Sequence, residues 1–474
     1  MATNSILNDE PKIVQTDIGN KDGQNKCPQC GSTDISVNAK TGKLRCNFCR
    51  HEFEPEKVQG LETDISKLEG EIMGSGTLDI ASDTQNLITL KCSSCGAEVV
   101  IDTSETTQAR CHWCRNTLSI NEQIPNGAVP DVVLPFNLTK QEAKDLITNF
   151  VGKRKFYAHP KFKEEFILDN IMGVYFPYMI VDCNSHAYFS GQGEHEVKKY
   201  FRGSGNNKTT YYDADLYDVE REFDLTVEGL TVESSSDKLE KHSNKTNNII
   251  NSIMPFDTEN SVKYNANYMK GYTSEKRDVN VQELRPLVDT QLKDIARFAA
   301  NDTLKDYDRG VNWHQEQLDV KGKQWKTAYL PVWLYSYVQQ KGEKQILHYV
   351  AVNARTKETM GSIPLHMPKL ISISVLIEII AMFIDSFIDY KYSGIFFLSG
   401  FIYFLFQYFK YRNTNARHHH ETETKKNIFN LRKVDTLVKR LKGLKNSKIQ
   451  GANNTKVSGQ SASEVVMDSL KHLK

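Results

Sequence analysis

Eight of the nine cysteines form two copies of one spacing. In each copy a Cys-x-x-Cys pair is followed, after fifteen residues, by a second Cys-x-x-Cys pair. Two such pairs supply the four thiolates of a tetrahedral zinc site, and the arm between them returns as a β-hairpin. The spacing therefore predicts two zinc ions, one in each of two zinc ribbons. The predicted ligands are Cys27, Cys30, Cys46 and Cys49 in ribbon 1, and Cys92, Cys95, Cys111 and Cys114 in ribbon 2.

Neither ribbon is long enough to fold around a core of its own. Chains below about 40 residues usually need a metal or disulfides, and structural zinc supplies roughly 10–16 kcal/mol of folding free energy. Four thiolates leave no open coordination position, so both sites are expected to be structural. Thiolates stay available for metal in a reducing compartment, so the ribbons are expected to lie in the cytosol.

Two apolar runs near the end of the chain, Leu370 to Ile384 and Ser393 to Phe409, are separated by a short polar stretch. Each approaches the roughly 17–25 residues that cross a bilayer. Soluble cores rarely place two such runs back to back, so a transmembrane hairpin over 369–389 and 393–411 is predicted, with a buried helical pair as the alternative. Basic residues follow the second run, whereas the turn offers only Lys391. Both termini are therefore expected to be cytoplasmic, in a cell membrane protein with two spans.

Glu378 lies near the middle of the first predicted span. Ionisable groups inside a bilayer usually face a partner or a water-filled gap. The sequence therefore predicts that Glu378 pairs with a polar group on another membrane subunit or on a second copy of the chain.

The segment between the ribbons and the membrane predicts a central α+β domain. Thr139 and Glu142 have the spacing of a capping box, which predicts a helix over 140–151. The stretch from Val174 to Ile180 resembles the stretch from Ala328 to Leu334. This similarity predicts two related β-meanders, each preceded by helical sequence.

The tail beyond the membrane is basic, with twelve Lys/Arg against three Asp/Glu from Lys410 to Lys448. Its apolar residues recur at helical spacing and predict a basic amphipathic helix. Such a helix would lie on the anionic inner leaflet or against a protein. The apolar residues are Ile428, Leu431, Val434, Val438 and Leu441.

These features divide the chain into eight segments. They are a disordered N-terminus (1–25), zinc ribbon 1 (26–54), a linker (55–87), zinc ribbon 2 (88–122), the α+β domain (128–368), two transmembrane helices (369–389 and 393–411) and a basic cytosolic tail (412–474).

The sequence offers no catalytic constellation, and we expect a protein that is not an enzyme. The formal net charge of +1 gives no global indication of nucleic-acid binding. Cys183 has no ligand partner nearby in sequence and is expected to be a buried free thiol. Two functions remain, a docking adaptor and, less favoured, a membrane-tethered nucleic-acid-binding protein. The second rests on basic and aromatic residues of the ribbons, namely Arg45, Phe48, Arg50, Arg110, Trp113 and Arg115.

The order of several motifs resembles the bacterial TFIIB-type zinc-ribbon-containing membrane proteins. The resemblance covers most of the chain from about residue 24 to 430. It rests on Cys92-Ser-Ser-Cys95, Cys111-His-Trp-Cys114, Val129-Pro-Asp-Val-Val-Leu-Pro-Phe136, Gly173-Val-Tyr-Phe-Pro177, Tyr329-Leu-Pro-Val-Trp-Leu334 and Tyr411-Arg-Asn-Thr-Asn-Ala-Arg417.

This resemblance implies a non-enzymatic scaffold of envelope-stress modules. Members of that family are often labelled primosomal or helicase proteins, but helicase motor motifs are absent from this sequence. The implied partners are a second membrane protein, an SPFH-type protein and a phage-shock protein A-like protein. The chain departs from the family pattern after the last cysteine of each ribbon, where Arg50 and Arg115 stand in place of the usual glycine.

Overall fold

The structure of the chain is a computed structural model. It describes residues 11–16, 27–32, 35–38, 43–54, 58, 61, 64–79, 87–91, 98–102, 109–110, 117–118, 123–124, 130–202, 209–235, 249–264, 268, 272–274, 277, 279–341, 344–385, 398–412 and 424–445.

These residues form five α-helices and nineteen β-strands. The helices are α1 (Lys140–Gly152), α2 (Pro160–Glu165), α3 (Val281–Asn301), α4 (Met367–Asp385) and α5 (Ser399–Arg412). The strands are β1 (Lys12–Val14), β2 (Ile35–Val37), β3 (Leu44–Cys46), β4 (Glu52–Phe53), β5 (Gly70–Gly74), β6 (Leu87–Lys91), β7 (Glu98–Asp102), β8 (Ala109–Arg110), β9 (Thr117–Leu118), β10 (Gln123–Ile124), β11 (Val132–Val133), β12 (Met172–Arg202), β13 (Thr209–Glu233), β14 (Val262–Lys263), β15 (Thr273–Ser274), β16 (Val311–Lys341), β17 (Lys344–Asn353), β18 (Thr359–Gly361) and β19 (Lys425–Lys445).

Eleven of the described strands form one mixed sheet, whose main path runs β1-β5-β16-β12-β13-β19. The smaller sheets are β2-β3-β4, β10-β6-β7 and β8-β9. Strand β12 alone has 31 residues, a length of about 100 Å at the usual rise per residue. The chain is therefore multidomain, with small sheets beside one large mixed sheet.

The two similar proline-containing segments lie side by side in the large sheet. Strand β12 pairs antiparallel with β16, so that Val174 lies opposite Val332 and Tyr178 lies opposite Ala328. Helices α1 and α2 precede the β12–β13 hairpin, and α3 precedes the β16–β17 hairpin. The two predicted meanders are thus two halves of a single sheet.

Successive residues of β12 enter different hydrophobic clusters, because side chains alternate between the faces of a sheet. Tyr175 packs in the cluster that contains α1, whereas Val174 and Phe176 pack on the opposite face. Further along, Cys183 packs in the cluster under α3 and is fully buried. The capping box is confirmed, since the Thr139 side chain accepts a hydrogen bond from the Glu142 N–H and α1 follows.

The large sheet takes in two segments that the sequence assigns to a disordered N-terminus and to a linker. Strand β1 pairs with β5, and β5 pairs with β16, both in parallel. The sequence patterns give no sign of these contacts, because strands of three and five residues are too short for a clear alternation. Their stabilisation comes from the neighbouring long strand.

The prediction of a basic amphipathic helix in the tail was wrong. Residues 425–445 form strand β19, which pairs antiparallel with β13 over most of its length. Arg440 lies opposite Asp215 and donates to its carboxylate at 2.7 Å. Charge complementarity with an acidic strand, together with free backbone groups along the edge of β13, favours the strand over the helix.

Helix α4 is the one helix among the described residues that is long and apolar enough to cross a membrane. Helix α5 has 14 residues. Residues 386–397, which include the start of the predicted second span, lie outside the described residues. The two-span hairpin therefore stays a prediction.

Glu378 of α4 has a partner within the chain. Its carboxylate accepts hydrogen bonds from the N–H groups of Leu398 at 3.0 Å and Gly400 at 2.6 Å, at the start of α5. A Cβ at Gly400 would lie 2.2 Å from the Ser374 carbonyl oxygen, so only glycine allows this approach of the two helices. The acidic side chain thus caps a helix N-terminus within the chain, and its contact with another subunit or a second copy stays a prediction.

Candidate metal centre

The four cysteines of ribbon 1 lie at two turns with the same hydrogen-bond pattern. In the first turn, the N–H of Gly31 donates to the Cys27 carbonyl at 2.8 Å. In the second, the N–H of Arg50 donates to the Cys46 carbonyl at 2.9 Å. Each turn therefore bends the chain so that two sulfur atoms face the same point, as the Cys-x-x-Cys spacing predicts.

The residue after each cysteine pair has a left-handed backbone. Gly31 has φ 73° and Arg50 has φ 62°. Glycine adopts this conformation freely, whereas a residue with a Cβ is strained in it. Arg50 is therefore strained at a position where Gly31, its equivalent in the first turn, is not.

The sulfur atoms of Cys27, Cys30, Cys46 and Cys49 all lie within 4.8 Å of one another. The Cys27–Cys49 and Cys30–Cys46 sulfur pairs are 3.6 and 3.5 Å apart. A tetrahedral zinc with Zn–S bonds of about 2.3 Å has sulfur separations of roughly 3.8 Å. A disulfide would need about 2.05 Å. The group thus fits one tetrahedral metal ion.

Backbone amides around the group favour the thiolate form of one ligand. The N–H of Cys49 points at the Cys46 sulfur at 3.5 Å. This hydrogen bond is the main cause that lowers the pKa of Cys46 to about 6. Hydrogen bonds that favour the thiolate also favour metal binding, because zinc binds the deprotonated sulfur.

The surroundings of the group divide into a buried and an exposed side. Cys27 and Cys46 are buried, and Ile35 and Leu44 pack in the same cluster as α1 of the central domain. On the other side Phe48 is 81% exposed, and Arg45 and Arg50 are exposed as well. The metal would therefore hold a small hairpin against the central domain while its basic and aromatic tip faces outward.

The predicted ligands of ribbon 2 lie outside the described residues. The strands on either side of them are described, and β6 and β7 pair antiparallel over five residues each. The second site stays a prediction. The predicted ribbon 2 ligands outside the described residues are Cys92, Cys95, Cys111 and Cys114.

Cys183 is confirmed as a buried free thiol, and its burial raises the pKa to about 12.

Sequence reasoning missed two arrangements that depend on residues far apart in the chain. One is the bidentate contact of Arg221 with Asp435, which ties β13 to β19. The other is the docking of the loop 153–159 onto the ends of α4 and α5. The run of basic residues and aromatics in that loop is the signal that could have indicated a surface role.

Comparison with known proteins gives one similar protein and no assigned family. A protein of Bacillus subtilis (strain 168) described as "Uncharacterized protein YdjG" is 24% identical over 349 residues, which cover 73% of this chain and 91% of that protein. No family model and no solved structure match the chain.

Proposed function

We propose that the chain is a membrane-anchored zinc-ribbon adaptor that docks cytosolic and membrane proteins. The observation that carries this proposal is the presence, in one chain, of a four-cysteine group built for a metal and an outward-facing apolar helix. Ile379 and Phe383 of α4 are 58% and 65% exposed. A core helix would bury such side chains, and a helix in lipid need not.

The anchor is proposed to be the two-span hairpin. Three observations support it: the Glu378 cap on α5, the close approach at Gly400, and the outward apolar side chains of α5, among them Ile402 at 64% exposure. Lys410 directly follows the second apolar run. A basic residue at that membrane end agrees with a cytoplasmic C-terminus, and two spans then place the N-terminus on the same side.

The second proposed zinc ion belongs to ribbon 2. Its supports are the repeated cysteine spacing and the antiparallel β6–β7 pair that leads into it. Metal analysis of the purified chain tests this point directly. We expect two zinc ions per chain, falling to one in Cys92→Ser/Cys95→Ser and also to one in Cys27→Ser/Cys30→Ser. Cys183→Ser is the control and should retain both.

The docking surface for proteins is proposed to be the outer edge of β19. This 21-residue strand ends the main path of the large sheet. A terminal strand offers unpaired backbone groups to a further strand. Its exposed apolar residues lie on both faces of the sheet. Ile428 and Phe429 are neighbours in the strand, opposite Leu225 and Asp224, and successive side chains of a strand point to opposite faces. A partner strand would contact both faces, whereas a lipid surface contacts one.

The proposed partners follow the resemblance: a second membrane protein, an SPFH-type protein and a phage-shock protein A-like protein. Purification of the full chain in mild detergent followed by mass spectrometry tests the adaptor function. We expect co-purifying proteins that are lost when Val434 and Val438 are replaced by lysine. Replacement of Val197 by lysine is the control, because Val197 is exposed elsewhere, at the far end of β12. Recovery of the chain without stoichiometric partners would contradict the proposal.

A second candidate function, nucleic-acid binding, is favoured by the exposed Arg45, Phe48 and Arg50 at the tip of ribbon 1. Phosphate contacts give binding that falls steeply with salt. A gel shift of the full chain across a salt series separates the two functions. Strong binding at low salt that is lost in Arg45→Gln/Arg50→Gln would favour nucleic acid, and little binding would favour the adaptor.

A further inference from the structure

A short loop of the central domain is held against the ends of both apolar helices. It joins α1 to α2 and covers residues 153–159. The N–H of Tyr157 donates to the Tyr411 hydroxyl at 2.6 Å, and the Tyr157 hydroxyl lies 2.7 Å from that of Tyr403. The N–H of His366 donates to the Tyr157 carbonyl at 2.8 Å. The loop is thus fixed to the beginning of α4 and to the end of α5.

Two cations complete this attachment. Arg154 donates from Nε to the Lys410 carbonyl at 3.1 Å, at the end of α5. Lys369, in the first turn of α4, donates to the Phe156 carbonyl at 3.0 Å and lies 3.7 Å from the centre of its ring. The loop therefore lies beside the first turn of α4 and the last turn of α5, where these two helices connect to the central domain.

The outer side of the loop combines a large apolar group with positive charge. Phe156 is 58% exposed and directly follows a run of basic residues. Residues 151–163 contain five Lys/Arg and no Asp/Glu. Among the described residues, Lys153, Lys155 and Lys161 are exposed and take part in no ion pair. The outer side of the loop therefore presents an exposed ring surrounded by positive charge.

Aromatic and basic side chains at the end of a membrane helix are the groups that contact lipid headgroups. Tyrosines sit at the level of the headgroups because one end of the ring is apolar and the other is polar. Lysines near an anionic leaflet are attracted by about 1 kcal/mol each. At this end of α4 and α5, Phe156, Lys153, Lys155 and Lys161 are exposed, whereas Tyr157 and Tyr411 are buried and hold the loop to the helices. Tyr403, in the second turn of α5, is partly exposed.

We propose that the loop 153–159, together with Lys161 in the first turn of α2, seats the central domain on the cytoplasmic leaflet and binds the phosphate groups of anionic lipids. Phe156 enters the interface beside Lys369, while Lys153, Lys155 and Lys161 contact headgroups around it. This inference rests on the proposed membrane anchor of α4 and α5. It adds a lipid-binding site on the soluble domain and fixes the orientation of the large sheet relative to the bilayer.

The test uses the full chain in lipid nanodiscs with tryptophan as a probe. The variants are Phe156→Trp, Ile379→Trp within α4, and Phe201→Trp, whose parent side chain is 64% exposed near the far end of β12. Fluorescence quenching by brominated phosphatidylcholine or brominated phosphatidylglycerol is measured. The signal of the four native tryptophans, measured on the parent chain, is subtracted.

We expect quenching of the probes at 156 and 379, and none at 201. The probe at 156 should be quenched at least about five-fold more strongly by brominated phosphatidylglycerol than by the phosphatidylcholine, because a single lysine already supplies that preference. Lys153→Gln/Lys155→Gln should reduce this preference to what Lys161 alone supplies, whereas Lys198→Gln/Lys199→Gln, exposed near the far end of β12, should retain it in full.

Three results would overturn the inference. Quenching at 379 without quenching at 156 leaves the membrane anchor in place and removes the lipid site. Absence of quenching at both positions removes the anchor and the lipid site together. Quenching at 156 with equal efficiency by both lipids would contradict the proposed binding of anionic headgroups.

Discussion

Ribbon 1 and the large sheet are stabilised in different ways. The ribbon consists of strands of three, three and two residues, and its buried apolar side chains are few. The sheet has strands of up to 31 residues and several clusters of fully buried side chains on both faces. The ribbon has a four-cysteine group that could hold a metal ion and would take most of its stability from that ion, whereas the sheet depends on its core. The two regions should therefore respond to different perturbations.

Loss of the metal should have the largest effect, and the effect should be confined to the ribbon. Cys46→Ser removes one of four ligands, and structural zinc is worth roughly 10–16 kcal/mol. We expect residues 27–54 to lose hydrogen-exchange protection while residues 172–233 keep theirs. Cys183→Ala is the control, since Cys183 lies in the sheet core. Protection of the ribbon in Cys46→Ser, with the metal absent, would show that packing alone holds it.

A cavity in the sheet should have the converse effect. Trp325 is fully buried, and its Nε1 donates to Glu71 at 2.9 Å. Trp325→Ala is expected to lower the free energy of unfolding of the sheet by about 3–5 kcal/mol, as measured by chemical denaturation in detergent. The zinc content of ribbon 1 should not change. Phe201→Ala is the matched control because Phe201 is exposed, and loss of zinc in Trp325→Ala would show that the two regions unfold together.

The same contrast separates what the sequence could predict from what it could not. Ribbon 1 was predicted from cysteine spacing, and α1 from its capping box, because both signals lie within a few residues. The strand β19 was missed, because its partner β13 is some two hundred residues away and its apolar spacing also fits a helix. The role of Glu378 was missed for the same reason, since its partners at 398 and 400 are known only from the packing of α4 on α5.

The pairing of β19 with β13 can be weakened at one contact. Arg221 is 1% exposed, and its carboxylate partner within the described part of the chain is Asp435, with Nη1 and Oδ1 2.6 Å apart. Asp435→Asn leaves a buried cation without its counter-charge. The cost should be about 2 kcal/mol, below the roughly 3–5 kcal/mol of a fully buried pair, because Asp435 is 31% exposed. We expect loss of hydrogen-exchange protection over residues 425–445.

Arg432→Gln provides the control for this change. Arg432 is 79% exposed and lies 3.6 Å from Glu222. Exposed ion pairs contribute little, so the loss should stay below about 0.5 kcal/mol. Equal effects of the two substitutions would mean that β19 is held by its backbone and apolar side chains rather than by the buried ion pair.

The smallest effect is expected within ribbon 1, at the strained residue after Cys49. Arg50 has φ 62° where the equivalent Gly31 has φ 73°. Glycine removes a strain of roughly 1–2 kcal/mol but loses more backbone entropy on folding, so Arg50→Gly should gain about 1 kcal/mol. Zinc affinity, measured on the full chain by competition with a chelator, should rise about five-fold. Arg50→Ala removes the same charge and keeps the strain, so it should show no gain. A similar gain in both variants would assign the effect to the arginine charge near the thiolates rather than to the backbone.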